Sequence, residues 1–168
     1  MTVTIRRAVA DDVDWLADLL ASDDTEPYLR PLAAADVGAD VERSLAEPER
    51  FGRFVVEVDG ARAGAMGFEQ RSETHRIAHL GGLAIHPDFR GRRIADDAAR
   101  LLQRHLLLEL GYHRLELACY GFNERAIRHA ERVGFVREGV KRRAYLRHGE
   151  WQDAVEFALL REDLDDRP

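Results

Sequence analysis

Hydrophobic positions along the chain recur with two periods, and the places where one gives way to the other predict its elements. Val3 to Val9 reads as a strand. The acids of Ala10-Asp11-Asp12 suit a helix start, after which Val13, Leu16, Leu19 and Leu20 fall on one helical stripe. Ser22 to Pro31, with its prolines and acids, reads as a loop, and a second helix is expected over about residues 33–46, ending near Pro48. Phe51 to Val58 alternates as a strand. Asp59-Gly60 signals a tight turn into a further strand through Ala65 and Phe68. His75 to Ile85 is another strand, holding the unusual pair Gly81-Gly82, and Pro87 stops it. Ile94, Ala98, Leu101, Leu102 and Leu106 then keep helical spacing, with Gly111 as a C-cap. Arg114 to Cys119 is a short strand. Asn123 caps a helix whose inner face is Ala126, Ile127, Ala130 and Val133 and which ends at Gly134. Phe135 to Leu146 and Trp151 to Leu160 close the chain as a hairpin around His148-Gly149. The order β-α-α-β-β-β-α-β-α-β-β describes a mixed α/β domain around one sheet, without internal repeat or long linker.

Length and composition set limits on this picture. At 168 residues the whole chain, 1–168, suits a single domain with its own core. A formal net charge of −6 argues against a general nucleic-acid binder. The charge is uneven: acids crowd the first 50 residues and the tail, whereas arginines gather between Arg90 and Arg147. Such a split suits an anionic ligand in one place and a cationic one in another. One cysteine, Cys119, excludes an internal disulfide, and no Cys/His cluster has zinc-site spacing, so no metal is expected. The N-terminal residues lack a signal-peptide stretch, and Leu101 to Leu110 is interrupted by Gln103, Arg104, His105 and Glu109. A reducing cytoplasm and no membrane partner are the expectation.

The segment Leu83 to Ala95 carries the most chemistry. A strand ends, Pro87 forces a turn, and Gly91 allows close backbone approach just before a helix begins. Helix starts expose unpaired N–H groups at the positive end of the dipole, which together favour an anion. Arg90, Arg92 and Arg93 add positive charge at the same spot, which would suit a diphosphate. Neither the P-loop pattern nor the dinucleotide fingerprint is present. An arginine-rich helix start with a turn glycine is also an ordinary surface feature, and the segment alone does not decide between the two.

The run Leu83-Ala84-Ile85-His86-Pro87-Asp88-Phe89-Arg90-Gly91-Arg92-Arg93-Ile94-Ala95 resembles the hallmark of the GNAT N-acetyltransferase superfamily, Q/R-x-x-G-x-G/A after a strand and proline turn. The likeness continues through Leu110 to Leu117, Asn123 to Ile127, Gly134 to Gly139, and the hairpin with Gly149, Trp151, Asp153 and Leu159. That last run is similar to the branch of ribosomal-protein N-terminal and spermidine acetyltransferases. The resemblance implies a mixed, largely antiparallel sheet of about seven strands flanked by about four helices. It implies transfer of an acetyl group from acetyl-CoA, as co-substrate, to a primary amine by direct attack in a ternary complex. Backbone groups of Leu83, Ala84 and Ile85 would hold the pantetheine arm and polarise the thioester. Amides from Arg90, Gly91, Arg92, Arg93, Ile94 and Ala95 would hold the pyrophosphate, and Asn123 would touch the cofactor arm. The acceptor would be a small amine or a protein N-terminus, and a homodimer is in keeping with the branch.

Two positions depart from the family pattern. Its central glycine is Arg93 here, and the tyrosine that in many members protonates the leaving thiolate is Ala130. His129 is adjacent, but one helical residue turns a side chain by about 100°. Tyr120 and Tyr145 are the candidate replacements as acid, each equally readable as a packed aromatic. For the base, Glu69, His79 and His86 lie near the inferred active strands. Cys119 reads as a core residue. Arg125, Arg128 and Arg132, with Lys141-Arg142-Arg143, read as a solvated face paired with Glu124 and Glu131 rather than as a nucleic-acid patch. Asp23, Asp24, Glu26 and Tyr28 sit where the family often builds its acceptor pocket, so Glu26 and Tyr28 are candidate substrate contacts. A catalytically silent acyl-CoA-binding module is the alternative that Arg93 and Ala130 keep open.

Overall fold

The computed structural model describes residues 1–23, 25 and 34–165. They form one seven-stranded sheet in the order β1-β2-β3-β4-β5-β7-β6. The strands are β1 (Val3–Arg7), β2 (Phe51–Val58), β3 (Ala61–Ser72), β4 (Ile77–Ile85), β5 (Arg114–Tyr120), β6 (Val136–Arg147) and β7 (Glu150–Leu160). Every neighbouring pair is antiparallel except β4 and β5. The helices are α1 (Val13–Ala21), α2 (Ala34–Ala46), α3 (Ile94–Arg104), α4 (Glu124–Arg132) and a short α5 (Glu162–Asp165). This is the mixed, largely antiparallel architecture expected. The described residues add a fifth helix, α5, to the four expected.

Both tight turns form as their residues require. Asp59 and Gly60 have φ of 49° and 84°, and His148 and Gly149 have 49° and 77°, the double left-handed geometry that matches strand twist in a two-residue hairpin. Asn123 Oδ1 accepts the Ala126 N–H at 3.1 Å, capping α4.

The sheet is buried unequally on its two faces. One face packs Phe54, Phe68, Leu80, Leu115 and Phe157 against Ile94, Ala98 and Leu102 of α3 and Ala130 of α4. The other packs small residues, Val55, Ala65 and Ala84, against Leu16, Leu19 and Leu20 of α1 and Val37 and Val41 of α2. These stripes match the sequence periodicity with one correction. Leu101 is 37% exposed, because Ile94, Ala98, Leu102 and Leu106 advance by four and rotate Leu101 to the helix flank. A π-helical turn over His105–Glu109 follows α3 and buries both Leu106 and Leu107.

The start of α3 is tied to the end of α4 by a buried charge. Asp96, 2% exposed, accepts from Arg132 Nε and Nη2 at 2.8 and 2.7 Å and bonds His129 Nδ1 at 2.9 Å. Arg132 therefore pairs across the structure with Asp96, and not within the solvated face expected to pair with Glu124 and Glu131. Arg128 does pair with Glu124, at 3.4 Å.

The Arg132 hydrogen bonds hold the Asp96 carboxyl down at about 2, against the opposing effect of burial, with His129 assisting. A depressed carboxyl stabilises the fold above its unfolded pKa and loses that contribution as pH falls through its folded one. Asp96→Asn is expected to cost about 2 kcal/mol at neutral pH. In urea titrations the gap between variant and wild type should close between pH 4 and 2. A gap independent of pH would show that the charge contributes little.

Candidate functional site

Strands β4 and β5 pair through only three rungs, Ile77–Arg114, Ala78–Leu115 and His79–Glu116. Beyond these they separate. β4 continues to Ile85 bonded only to β3, and β5 continues to Tyr120 bonded only to β7. The facing edges, Leu80 to Ile85 and Leu117 to Tyr120, have no strand partner among the described residues. Unpaired strand edges present a row of N–H and C=O groups to whatever occupies the gap.

A bulge aims the β4 edge. Ala65 faces Ala84 and Gly67 faces Gly81, so Met66 opposes both Gly82 and Leu83. Gly82 carries the turn at φ 66°, a conformation open to glycine. A Cβ on Gly81 would meet nothing within 4 Å, so the cleft wall is bare backbone there. Leu83 and Ile85 direct their side chains into the α3-side core and Ala84 into the α1-side core, which leaves backbone facing the gap.

The free edge runs into the start of α3. Pro87 to Phe89 form a single 3-10 turn, and Gly91 at φ 80° swings the chain around. The N–H groups of Asp96 and Asp97 bond back to Arg93 O at 3.0 and 3.2 Å, so those of Ile94 and Ala95 precede any intrahelical acceptor. Gly91, Arg92 and Arg93 are exposed. Arg90 differs: its Nε donates to Ile85 O at 2.9 Å, binding the turn to the end of β4. Arg93 takes the left-handed conformation, φ 59° and ψ 16°, at the N-cap of α3. It keeps a glycine-type backbone with an arginine side chain.

On the opposite lip, Asn123 follows the end of β5 and borders a recess of about 240 Å³ with Phe122, Glu124 and Arg125. Tyr120 stacks on Phe122 with centroids 5.2 Å apart and meets Tyr145 edge-on at 5.9 Å. The two candidate acids thus form one aromatic cluster at the end of β5. Ala130 is 1% exposed within the main core, and His129 is engaged by Asp96. A larger groove, about 420 Å³, lies against the edge strand β1 and Leu101, His105 and Glu109, three strands from the gap.

On the α1/α2 side of the sheet, Glu69, His79 and Glu116 stand in adjacent strands at matching registers. Glu69 pairs with Arg43 at 3.1 Å and Glu116 with Arg114 at 2.7 Å. Glu116 was not singled out from sequence; its register opposite His79 is what places it here. His86 lies past the strand end, 3.6 Å from the exposed Asp88. Burial pushes the Cys119 thiol up to about 11, leaving it an inert core residue. Asp24, Glu26 and Tyr28 lie outside the described residues. Among the described residues, no group of three or more His, Cys, Asp and Glu is placed to hold a metal, and no helix is long and apolar enough to cross a membrane.

Residues 2–136 match the family model described as acetyltransferase (GNAT) domain. The SPbeta prophage-derived uncharacterized N-acetyltransferase YokL of Bacillus subtilis (strain 168) is 31% identical over 140 residues, covering 80% of this chain and 75% of its own. Spermidine N(1)-acetyltransferase of Escherichia coli (strain K12) is 30% identical over 108 residues, 64% of this chain and 58% of that relative. Among solved structures, RimL, the ribosomal L7/L12 alpha-N-protein acetyltransferase in complex with coenzyme A, superposes with a TM-score of 0.84 at 18% identity, covering 95% of this chain and 94% of that one.

The left-handed Arg93 generates a test of the cradle. A β-carbon there costs about 1–2 kcal/mol that glycine avoids. Set against the looser unfolded chain, Arg93→Gly should gain about 1 kcal/mol and raise Tm by about 2–4 °C in calorimetry. Arg93→Ala, which keeps the β-carbon, should leave Tm near that of the wild type. If Arg93→Gly instead lowers Tm, the arginine side chain and not its backbone governs stability at this position.

Proposed function

The chain belongs to the GNAT acetyltransferase family and is an acetyl-CoA-dependent N-acetyltransferase; we propose that it acetylates a primary amine by direct attack within the cleft between β4 and β5. The observation that carries this reading is the unpaired β4 edge running straight into the bare N–H groups of Ile94 and Ala95. An amide-bearing pantetheine arm matches a strand edge, and a diphosphate matches a helix start. The backbone of Leu83, Ala84 and Ile85 holds the arm. The Leu83 N–H, aimed by the bulge, polarises the thioester carbonyl. The amides of Gly91 to Ala95 take the pyrophosphate, and Asn123 closes the other side. Acetyl-CoA supplies the activated acyl group, and the protein supplies orientation and a fixed dipole, with no acyl-enzyme.

With Ala130 inside the core, a proton donor must come from elsewhere on the β5 side. The Tyr120–Tyr145 cluster offers hydroxyls there, and Glu69, held by Arg43, is a less available base. The acceptor is a cationic small amine, as for the spermidine acetyltransferase relative, or a protein N-terminus, as for RimL, with Glu26 and Tyr28 as its proposed contacts. We place the protein in the cytoplasm as one domain over residues 1–168. A homodimer would cover Val140, Leu146 and Trp151, which are 42%, 57% and 55% exposed on the β6–β7 hairpin.

Purified protein given acetyl-CoA and a panel of polyamines, aminoglycosides and unblocked peptides should release CoA thiol saturably with at least one acceptor. No release above background would overturn the proposal. Tyr120→Phe or Tyr145→Phe should lower kcat by about 10²-fold while leaving acetyl-CoA affinity unchanged. Full activity in both variants would remove the aromatic cluster from the chemistry.

A further inference from the structure

We infer that His79 is the catalytic base, taking the proton from the acceptor's ammonium group before it attacks the thioester. The inference rests on the acyl-transfer reading above.

Three features of the structure carry it. His79 lies on the last rung that β4 shares with β5, at the floor of the gap. Ala78 and Leu80, its neighbours, point into the core under α3, so His79 points to the other side of the sheet. The next residue on that side is Gly81, about 7 Å along the strand. A Cβ there would meet nothing within 4 Å, so no side chain of β4 stands between His79 and the bulge, although the Arg53 guanidinium reaches from β2 to 2.8 Å from where a Cβ on Gly82 would stand.

The charged groups around His79 make it the available base. Glu69 and Arg71 face it from β3, Glu116 from β5 and Glu156 from β7. Each carboxylate already has a cation: Arg43 on Glu69, Arg114 on Glu116, and Lys141 on Glu156 at 3.1 Å. A compensated carboxylate is a weaker proton acceptor than a free one. Burial, then Arg71, pushes His79 below its ordinary 6.5, against the pull of Glu116, Glu156 and Glu69. It is therefore a neutral imidazole at neutral pH, and the same carboxylates stabilise the imidazolium once formed.

One ammonium proton moves to a ring nitrogen of His79, directly or through one water, and later passes to solvent. The freed nitrogen lone pair forms the N–C bond to the acetyl carbonyl carbon. The C–S bond breaks with its electrons staying on sulfur, which takes up the second proton lost by the nitrogen.

His79→Gln and His79→Asn, assayed with spermidine and with an unblocked alanyl peptide at saturating acetyl-CoA, test this. Wild-type kcat should fall on the acid side along a limb centred below pH 6.5. Both variants should lose about 10²-fold in kcat and lose that limb, with acetyl-CoA Kd within twofold of wild type. Turnover within threefold of wild type, or a retained limb, overturns the role of His79 alone. Loss of acetyl-CoA binding in both variants makes the residue structural and also overturns it. If the wild-type protein releases no CoA with any acceptor of the full panel, the acyl-transfer reading fails first and this inference falls with it.

Discussion

Three rungs of pairing between β4 and β5, and no more, is the constraint on which the rest of this molecule depends. Backbone polar groups removed from water without partners cost several kcal/mol each, so a core sheet rarely leaves two facing edges unpaired. Here the gap is tolerable because it opens to solvent on the α1/α2 side and offers a strand-like ligand the bonds that a neighbouring strand would have made. Gly82 supports this arrangement: its left-handed φ lets β4 carry one residue more than β3 and bend away from β5. The parallel pair also requires a crossover, and α3 supplies it while delivering a helix start to the mouth of the gap.

Charge placement follows from that geometry. An aspartate in the first turn of a helix would ordinarily compete with an anion for the orphan N–H groups. Asp96 is turned into the structure instead, where Arg132 and His129 occupy both of its oxygens. The same contact braces α3 against α4, so the residue that leaves the anion cradle unobstructed also fixes the two walls relative to each other. Arg90 acts comparably at the other end of the turn, spending its Nε on Ile85 O rather than on a ligand. Cradle charge is left to Arg92 and Arg93, both exposed, so positive potential reaches solvent while the contact surface stays backbone.

Local features of the fold were legible in the residues; long-range ones were not. Asp59-Gly60 and His148-Gly149 name their turns because few residues tolerate two successive positive φ angles, and Asn123 and Gly111 mark helix ends for similarly local reasons. The helical stripes followed from period alone, failing only at Leu101, where a spacing of seven sits at the stripe's margin. The splay of β4 from β5 was not legible as geometry. Alternation tells a strand that it has two faces, not where its pairing stops. The Gly81-Gly82 pair stood out, but a bulge is defined by the opposing strand, and Met66 gives no sign of it. Arg132 shows the same limit, since it read as part of a solvated face, whereas it pairs with the buried Asp96, 36 residues away. The acyl-CoA reading came through family resemblance, and the free edge gives it a physical basis.

The replacement at Ala130 has a consequence for how the two sides of the cleft divide the chemistry. A tyrosine on the inner face of α4 would stand between core and gap. Alanine surrenders that position to packing, and its neighbours Val133 and Phe135 are buried with it. At the β5 lip, Tyr120 and Tyr145 meet edge to face, and Lys141 pairs with Glu156. Tyr120 lies on the same side of β5 as Glu116, two alternations along the strand, because Leu115 and Cys119 take the core side. On the proposed roles, proton acceptor and donor share one side of one sheet. That α1/α2 side then carries both proton transfers, with His79 on β4 and the pairing of β5, β7 and β6 bringing Tyr120 and Tyr145 together.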